Sequence, residues 1–144
     1  MQAGFGPAKG KDFATAVGPY LVTLDALRDR VDSQGRIHLN MTARLNGREI
    51  SRGDAAMMHF TWPQIIEHAS RDATLFPGDL IGSGSIGAGC IVDLGPENTG
   101  GWLKPGDVIE LDIERLGVLR TPIIGRPDAL RRKAESLGAA AAVA

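Results

Sequence analysis

The chain has 144 residues, 43% of them apolar and 23% charged, enough for one domain of ordinary size with a buried core. A formal net charge of -1, with Lys and Arg scattered along the chain, supplies no cationic field for nucleic acid or an anionic membrane. The single cysteine, Cys90, excludes an intrachain disulfide and a cysteine-based zinc site, and a reducing cytoplasm is the expected location.

From the N-terminus, Met1 to Lys11 carries glycines and a proline in place of the apolar run of a signal peptide, and no window is apolar enough to span a membrane. Lys9 and Lys11 stand in a stretch dense in small residues, Gly4 to Phe13. A lysine among Gly and Phe is partly desolvated and suited to binding a carboxylate or polarising a carbonyl, although the bare pattern favours a surface lysine. The alternation of Ile37, Leu39, Met41, Ala43 and Leu45 with polar residues predicts a half-buried strand. Asn46-Gly47 then turns it into a return strand through Glu49 to Arg52.

A helix from Trp62 to Ser70 is predicted by Thr61 as cap, Gln64 as its return partner and Phe60 placed to staple onto Ile65. The chain then passes through Pro77-Gly78-Asp79, echoed later by Pro105-Gly106-Asp107. Each reads as a tight turn with Pro and Gly at its centre that launches a strand. Ile109, Leu111 and Ile113 alternate with Glu110, Asp112 and Glu114, and Gly117 allows a turn into a strand from Val118 to Ile124. From Asp128 a helical start dissolves into an alanine run, so residues 128–144 are expected to form a frayed tail behind a domain of residues 1–127.

Between the two Pro-Gly-Asp turns lies Gly82-Ser83-Gly84-Ser85-Ile86-Gly87, which has the spacing of a dinucleotide fingerprint. Ala88 to Pro96 cannot open the helix that such a site needs. The remaining readings are a loop whose backbone approaches an anionic ligand, with Ser83 and Ser85 donating hydroxyls and Gly84 giving close access, or a merely flexible loop. Neither serine sits in a nucleophile elbow, and Gly10-Lys11-Asp12 lacks the elements of a P-loop. Glu110, Asp112 and Glu114 share one strand face and could hold a hard cation, but a solvated face of an antiparallel strand explains them better. His38, His59 and His68 are scattered without metal-ligand spacing.

Taken in order, Gly6-Pro-Ala-Lys-Gly-Lys-Asp-Phe13, Gly18-Pro19 with Val22-Thr23, Asn46-Gly47, Leu75 to Asp79, Gly82 to Gly87 and Gly106-Asp107 resemble the C-terminal half of the fumarylacetoacetate hydrolase family, over about Gly4 to Leu119. The resemblance implies a mainly β fold with minor α, a mixed β-sandwich or β-roll, in a homodimer or paired with a missing N-terminal segment or chain. It implies a small-molecule oxo-acid substrate, with hydrolysis of C–C bonds in acylpyruvate-like diketo acids in aromatic-compound or amino-acid catabolism. Decarboxylation, hydration and isomerisation of related compounds stay open, as does a non-catalytic partner module.

The complete enzyme would carry Mg²⁺, or Mn²⁺ or Ca²⁺, as a Lewis acid for the departing enolate. By the same resemblance Lys11 is the active-site lysine that contacts the oxo-acid. Ser85 replaces a threonine that binds the substrate carboxylate, with Ser83 and Gly84 beside it, and Asp93 matches a glutamate that activates water. The family's Glu-x-Glu metal ligands and later Asp all precede that lysine, and none of Met1 to Gly10 is acidic. The expectation is a C-terminal fragment that binds no metal and is inactive alone, its metal ligands lying upstream of Met1.

Overall fold

The structure is a computed structural model that describes residues 15–125. Its centre is a four-stranded antiparallel sheet of β1 (Asn40–Leu45), β2 (Arg48–Asp54), β3 (Val108–Ile113) and β4 (Gly117–Pro122), in the order β2-β1-β3-β4. The remaining elements are short: 3-10 helices at Leu24–Arg30 and Ala55–Met57, and helices α1 (Trp62–Ala69), α2 (Ile91–Leu94) and α3 (Pro96–Thr99). The fold is mainly β with minor α, as expected.

Both hairpins form where the sequence places them. Asn46 (φ 52°) and Gly47 (φ 80°) both take positive φ, the geometry of the tight turn that matches strand twist. A bulge between Ala43 and Arg44 leaves Ile50 opposite no residue of β1, so Ala43 faces Ser51 while Arg44 faces Glu49. Regular β1 begins only at Asn40, three residues later than the alternation suggests. Ile37 pairs instead with Val31 in an isolated bridge, and the His38 amide donates to Arg30 O (2.9 Å).

Helix α1 ends at Ala69, one residue short of expectation, and its cap is as predicted: the Thr61 amide donates to Gln64 Oε1 (2.9 Å). Pro63 stands in the first turn, where a missing N–H costs nothing. Phe60 remains exposed, with its ring edge-on to His59 at 4.6 Å between centroids.

The two Pro-Gly-Asp turns share one device. The Asp79 carboxylate accepts the Phe76 amide (2.8 Å), and the Asp107 carboxylate accepts the Lys104 amide (2.9 Å). Their sequels differ. Pro105-Gly106-Asp107 delivers β3 onto β1, whereas the strand expected after Pro77-Gly78-Asp79 is not formed, and residues 79–86 run as a loop. Gly82 and Gly84 weaken any strand there, and Gly84 at φ 80° departs from extended backbone. The tail from Asp128 lies outside the described residues.

One face of the sheet is ionic. Arg44 contacts Asp112 (3.3 Å) and Arg120 contacts Glu110 (3.3 Å), while Glu114 binds Arg30 and accepts Asn40 Nδ2 (3.0 Å). The three acids are thus held by neighbouring side chains on a solvated surface. The opposite face carries Met41, Ala43, Leu45, Ile109, Leu111 and Ile113. Of the apolar side chains only Leu27 and Leu39 are buried among the described residues, and Leu111 in mid-sheet is 42% exposed.

Turn and sheet are bolted together at Asp107, which is buried. Asn46 Nδ2 donates to its Oδ1 (2.9 Å), and Asn46 Oδ1 accepts the Val108 amide (2.9 Å). These donors, Asn46 first and the Lys104 amide second, hold the Asp107 carboxyl below the usual aspartate range. The unfolded chain therefore takes up this proton more readily than the folded one. The stabilisation is present at neutral pH and is lost as pH falls through the aspartate range toward the lower folded value. In urea denaturation from about pH 7 to about pH 3, wild-type stability is expected to fall more steeply on acidification than that of Asp107→Asn. Parallel slopes would remove the carboxyl from the bolt.

Candidate functional site

Gly53 is an isolated glycine inside β2, a position that favours close approach of another segment. The segment is the Gly-rich loop. A Cβ added at Gly53 would overlap Ile86 Cδ1, so the bare glycine is the seat of the Ile86 side chain. The loop closes behind it: the Gly89 amide donates to Ile86 O (2.8 Å), and Ser51 Oγ of β2 donates to Ala88 O (2.8 Å). A Cβ at Gly89 would stand 2.6 Å from Ile86 O, so glycine is required there too. These contacts fix the Ile86 to Gly89 end of the loop against β2.

Fixing Ile86 brings the loop to the wall of a cavity of about 690 Å³. Met41 and Ile113 form its floor on the apolar sheet face, and Leu24, Leu27 and Leu39 close one side. Ser83 and Gly84 line it together with Ile86. Ser85 and Asp93 do not line it: Ser85 is exposed on the same loop, and Asp93 is exposed in α2, its amide donating to Cys90 O (3.1 Å). Lys9 and Lys11 lie outside the described residues.

The wall also contains a residue that sequence reasoning did not single out. Arg36 lines the cavity and donates from Nη1 to Ala56 O (3.0 Å) and Met58 O and from Nη2 to His59 O (3.4 Å). Its own amide donates to Asp32 Oδ1 (2.9 Å), and Asp32 Oδ2 meets His38 Nε2 at 3.0 Å. The His38 bond, followed by the Arg36 amide, holds the Asp32 carboxyl below its usual range. The only sequence signal for Arg36 was a cation between Gly35 and apolar Ile37.

A second cavity of about 250 Å³ lies at the Leu45 end of the sheet, beside Asn46, Trp102 and Asp107, and contains none of the predicted site residues. Among the described residues no three His, Cys, Asp or Glu side chains converge to hold a metal ion. The acids of the sheet are occupied by arginines, so these residues do not fit a divalent-cation site. No described helix is long and apolar enough to cross a membrane.

Seating Ile86 on Gly53 makes a specific energetic prediction. Gly53→Ala should overpack the contact and cost about 1–3 kcal/mol. In an Ile86→Ala background the same substitution should cost much less, because the colliding methyl is gone. Equal costs in both backgrounds, measured by thermal or chemical denaturation, would separate the loop from β2.

The model of the fumarylacetoacetate (FAA) hydrolase C-terminal region matches residues 1–124. A 2,4-didehydro-3-deoxy-L-rhamnonate hydrolase of Sphingomonas sp. (strain SKA58) is 37% identical over 115 residues, covering 80% of this chain and 37% of that protein. A maleylpyruvate hydrolase of Aquipseudomonas alcaligenes is 34% identical over 115 residues, covering 80% and 34%. Among solved structures, the fumarylacetoacetate hydrolase (EaFAH) of psychrophilic Exiguobacterium antarcticum superposes with a TM-score of 0.57 at 28% identity, covering 77% of this chain and 36% of that one. The chain thus spans 34–37% of the length of these two curated relatives. Matched over most of its length, and carrying the antiparallel sheet and anchored Gly-rich loop just described, the chain belongs to the fumarylacetoacetate hydrolase family.

Proposed function

We propose that this chain forms the substrate-holding part of a hydrolase that cleaves C–C bonds in diketo or oxo-acids of the acylpyruvate type. The observation that carries the reading is the Gly-rich loop: anchored on Gly53, it presents Ser83 and Gly84 to an apolar cavity of about 690 Å³ in a member of this family. Small-molecule sites have this character, a mostly apolar hollow with a few placed polar groups.

In this reading the loop receives the oxo-acid head. The Ser83 hydroxyl, at the cavity wall, donates to its carboxylate, Gly84 lets the backbone come close, and Ser85, off that wall, takes part by family resemblance alone. The carbon skeleton lies on Ile86, Met41 and Ile113. Lys11, by family resemblance, contacts the oxo group, and Asp93 is the candidate for activating water. Hydrolysis adds the hydroxyl of water to the distal carbonyl carbon and breaks its bond to the methylene carbon. The electron pair stays on that methylene carbon, which takes up a proton. The family's Mg²⁺, Mn²⁺ or Ca²⁺ would stabilise the departing enolate when bound, but the described residues offer it no ligand set and their part is binding and orientation.

The test is turnover of a panel of acylpyruvates by the complete protein, supplied with Mg²⁺. Ser83→Ala and Ser85→Ala should each raise KM roughly 10-fold, the value of one hydrogen bond to a charged group, with a smaller change in kcat. Lys11→Ala should lower kcat/KM by roughly 100-fold. Absence of C–C cleavage across the panel, or serine variants with unchanged KM, would overturn the assignment.

A further inference from the structure

Arg36 is the only charged side chain among the described residues that line the large cavity. It is partly buried, and no carboxylate among the described residues lies within ion-pairing distance of its guanidinium. The two acids of this corner are engaged elsewhere. Asp32 accepts the Gln34 and Arg36 amides and faces His38, and Asp54 caps Ala56 N (2.7 Å) with its other oxygen 3.8 Å from His38 Nδ1.

The guanidinium is nevertheless held firmly. Nη1 spends its protons on the carbonyls of Ala56 and Met58, and Nη2 donates one to His59. Nε and the second Nη2 proton meet no acceptor among the described residues. Nε lies on the side edge of the guanidinium, the edge that grips a carboxylate when Nε and Nη2 donate together, and Nη2 keeps one proton beyond its bond to His59. A cation fixed in orientation by backbone carbonyls, on an otherwise apolar wall, binds an anion at small entropic cost.

We infer that Arg36 anchors a second, distal carboxylate of the substrate, so that the cavity selects oxo-acids ending in an acid group over those with neutral tails. This rests on the reading of Ser83 and Gly84 as the site of the oxo-acid head. Head and tail then bind on separate elements, the Gly-rich loop and the 31–37 turn, with apolar carbons between them.

The test separates binding from turnover. Affinities of the complete protein for 2-oxoadipate, which ends in a carboxylate, and for 2-oxohexanoate, which ends in a methyl group, are compared by calorimetry. Wild type should bind 2-oxoadipate roughly 10- to 100-fold more tightly, the range for charge-assisted hydrogen bonds. Arg36→Gln should abolish that preference while leaving 2-oxohexanoate affinity within about 2-fold, well below the effect of losing one such bond. Arg36→Lys, which keeps the charge without the two-donor edge, should retain part of it. A role confined to supporting the Ala56 to His59 carbonyls would weaken both ligands alike in the variants, and that result overturns the inference. So does a wild type that binds the two equally or binds neither. The expected binding pattern without C–C cleavage of any acylpyruvate would sustain the role of Arg36 and refute the hydrolase reading instead.

Discussion

Met41 sits opposite Gly53 on one side and Ile113 on the other, and Ile113 in turn faces Gly117, so one rung crosses all four strands with a glycine at each end. The cavity depends on this rung. Hydrogen-bond register fixes Met41 and Ile113 side by side on the apolar face, where they become the floor. The bare Cα of Gly53 at its edge admits Ile86, which brings the Gly-rich loop with it. A one-residue slip of β2 would put a side chain where Ile86 now rests.

The two faces of the sheet serve different ends. On the ionic face, pairs such as Arg44 with Asp112 and Arg120 with Glu110 are partly open to solvent, and Coulomb attraction screened by water gives them little weight in stability. They keep that face solvated and neutralise acids that would otherwise repel one another along β3. The apolar face holds the potential for burial, yet Leu111 remains 42% exposed within the described residues. The 3-10 helix Leu24–Arg30 covers one end only. Arg115 reaches back to Asp29 (2.9 Å) and Arg30 to Glu114, tying that helix to the β3–β4 turn and closing one wall of the cavity.

Local chemistry made much of this visible in the sequence. Asn46-Gly47 specifies its hairpin because both residues tolerate positive φ, and Thr61 with Gln64 specifies the start of α1 because a cap needs only neighbours. Long-range packing was less legible. Pro77-Gly78-Asp79 forms the same turn as its echo but launches no strand, because a strand needs a partner that the turn cannot supply. Gly53 carries no signal of its own in the sequence, and its role appears only once Ile86 lies against it. The cavity wall from Leu24 to Arg36 went unread because a 3-10 helix and one isolated bridge leave no sustained periodicity. Ser83 and Gly84, read from the Gly-rich motif, do reach the cavity, whereas Ser85, read from the same motif and from family resemblance, and Asp93, from resemblance alone, stand off its wall.

The proposal of an oxo-acid site rests on the family, the anchored loop and the apolar hollow. The most direct measurement is a crystal structure of the complete protein with oxalate or a non-cleavable acylpyruvate analogue. The ligand carboxylate is predicted on the Ser83 to Ser85 loop, with any carbon tail against Ile86, Met41 and Ile113. An analogue bound elsewhere, with the hollow filled by protein side chains, would contradict the assignment of this cavity as the substrate site.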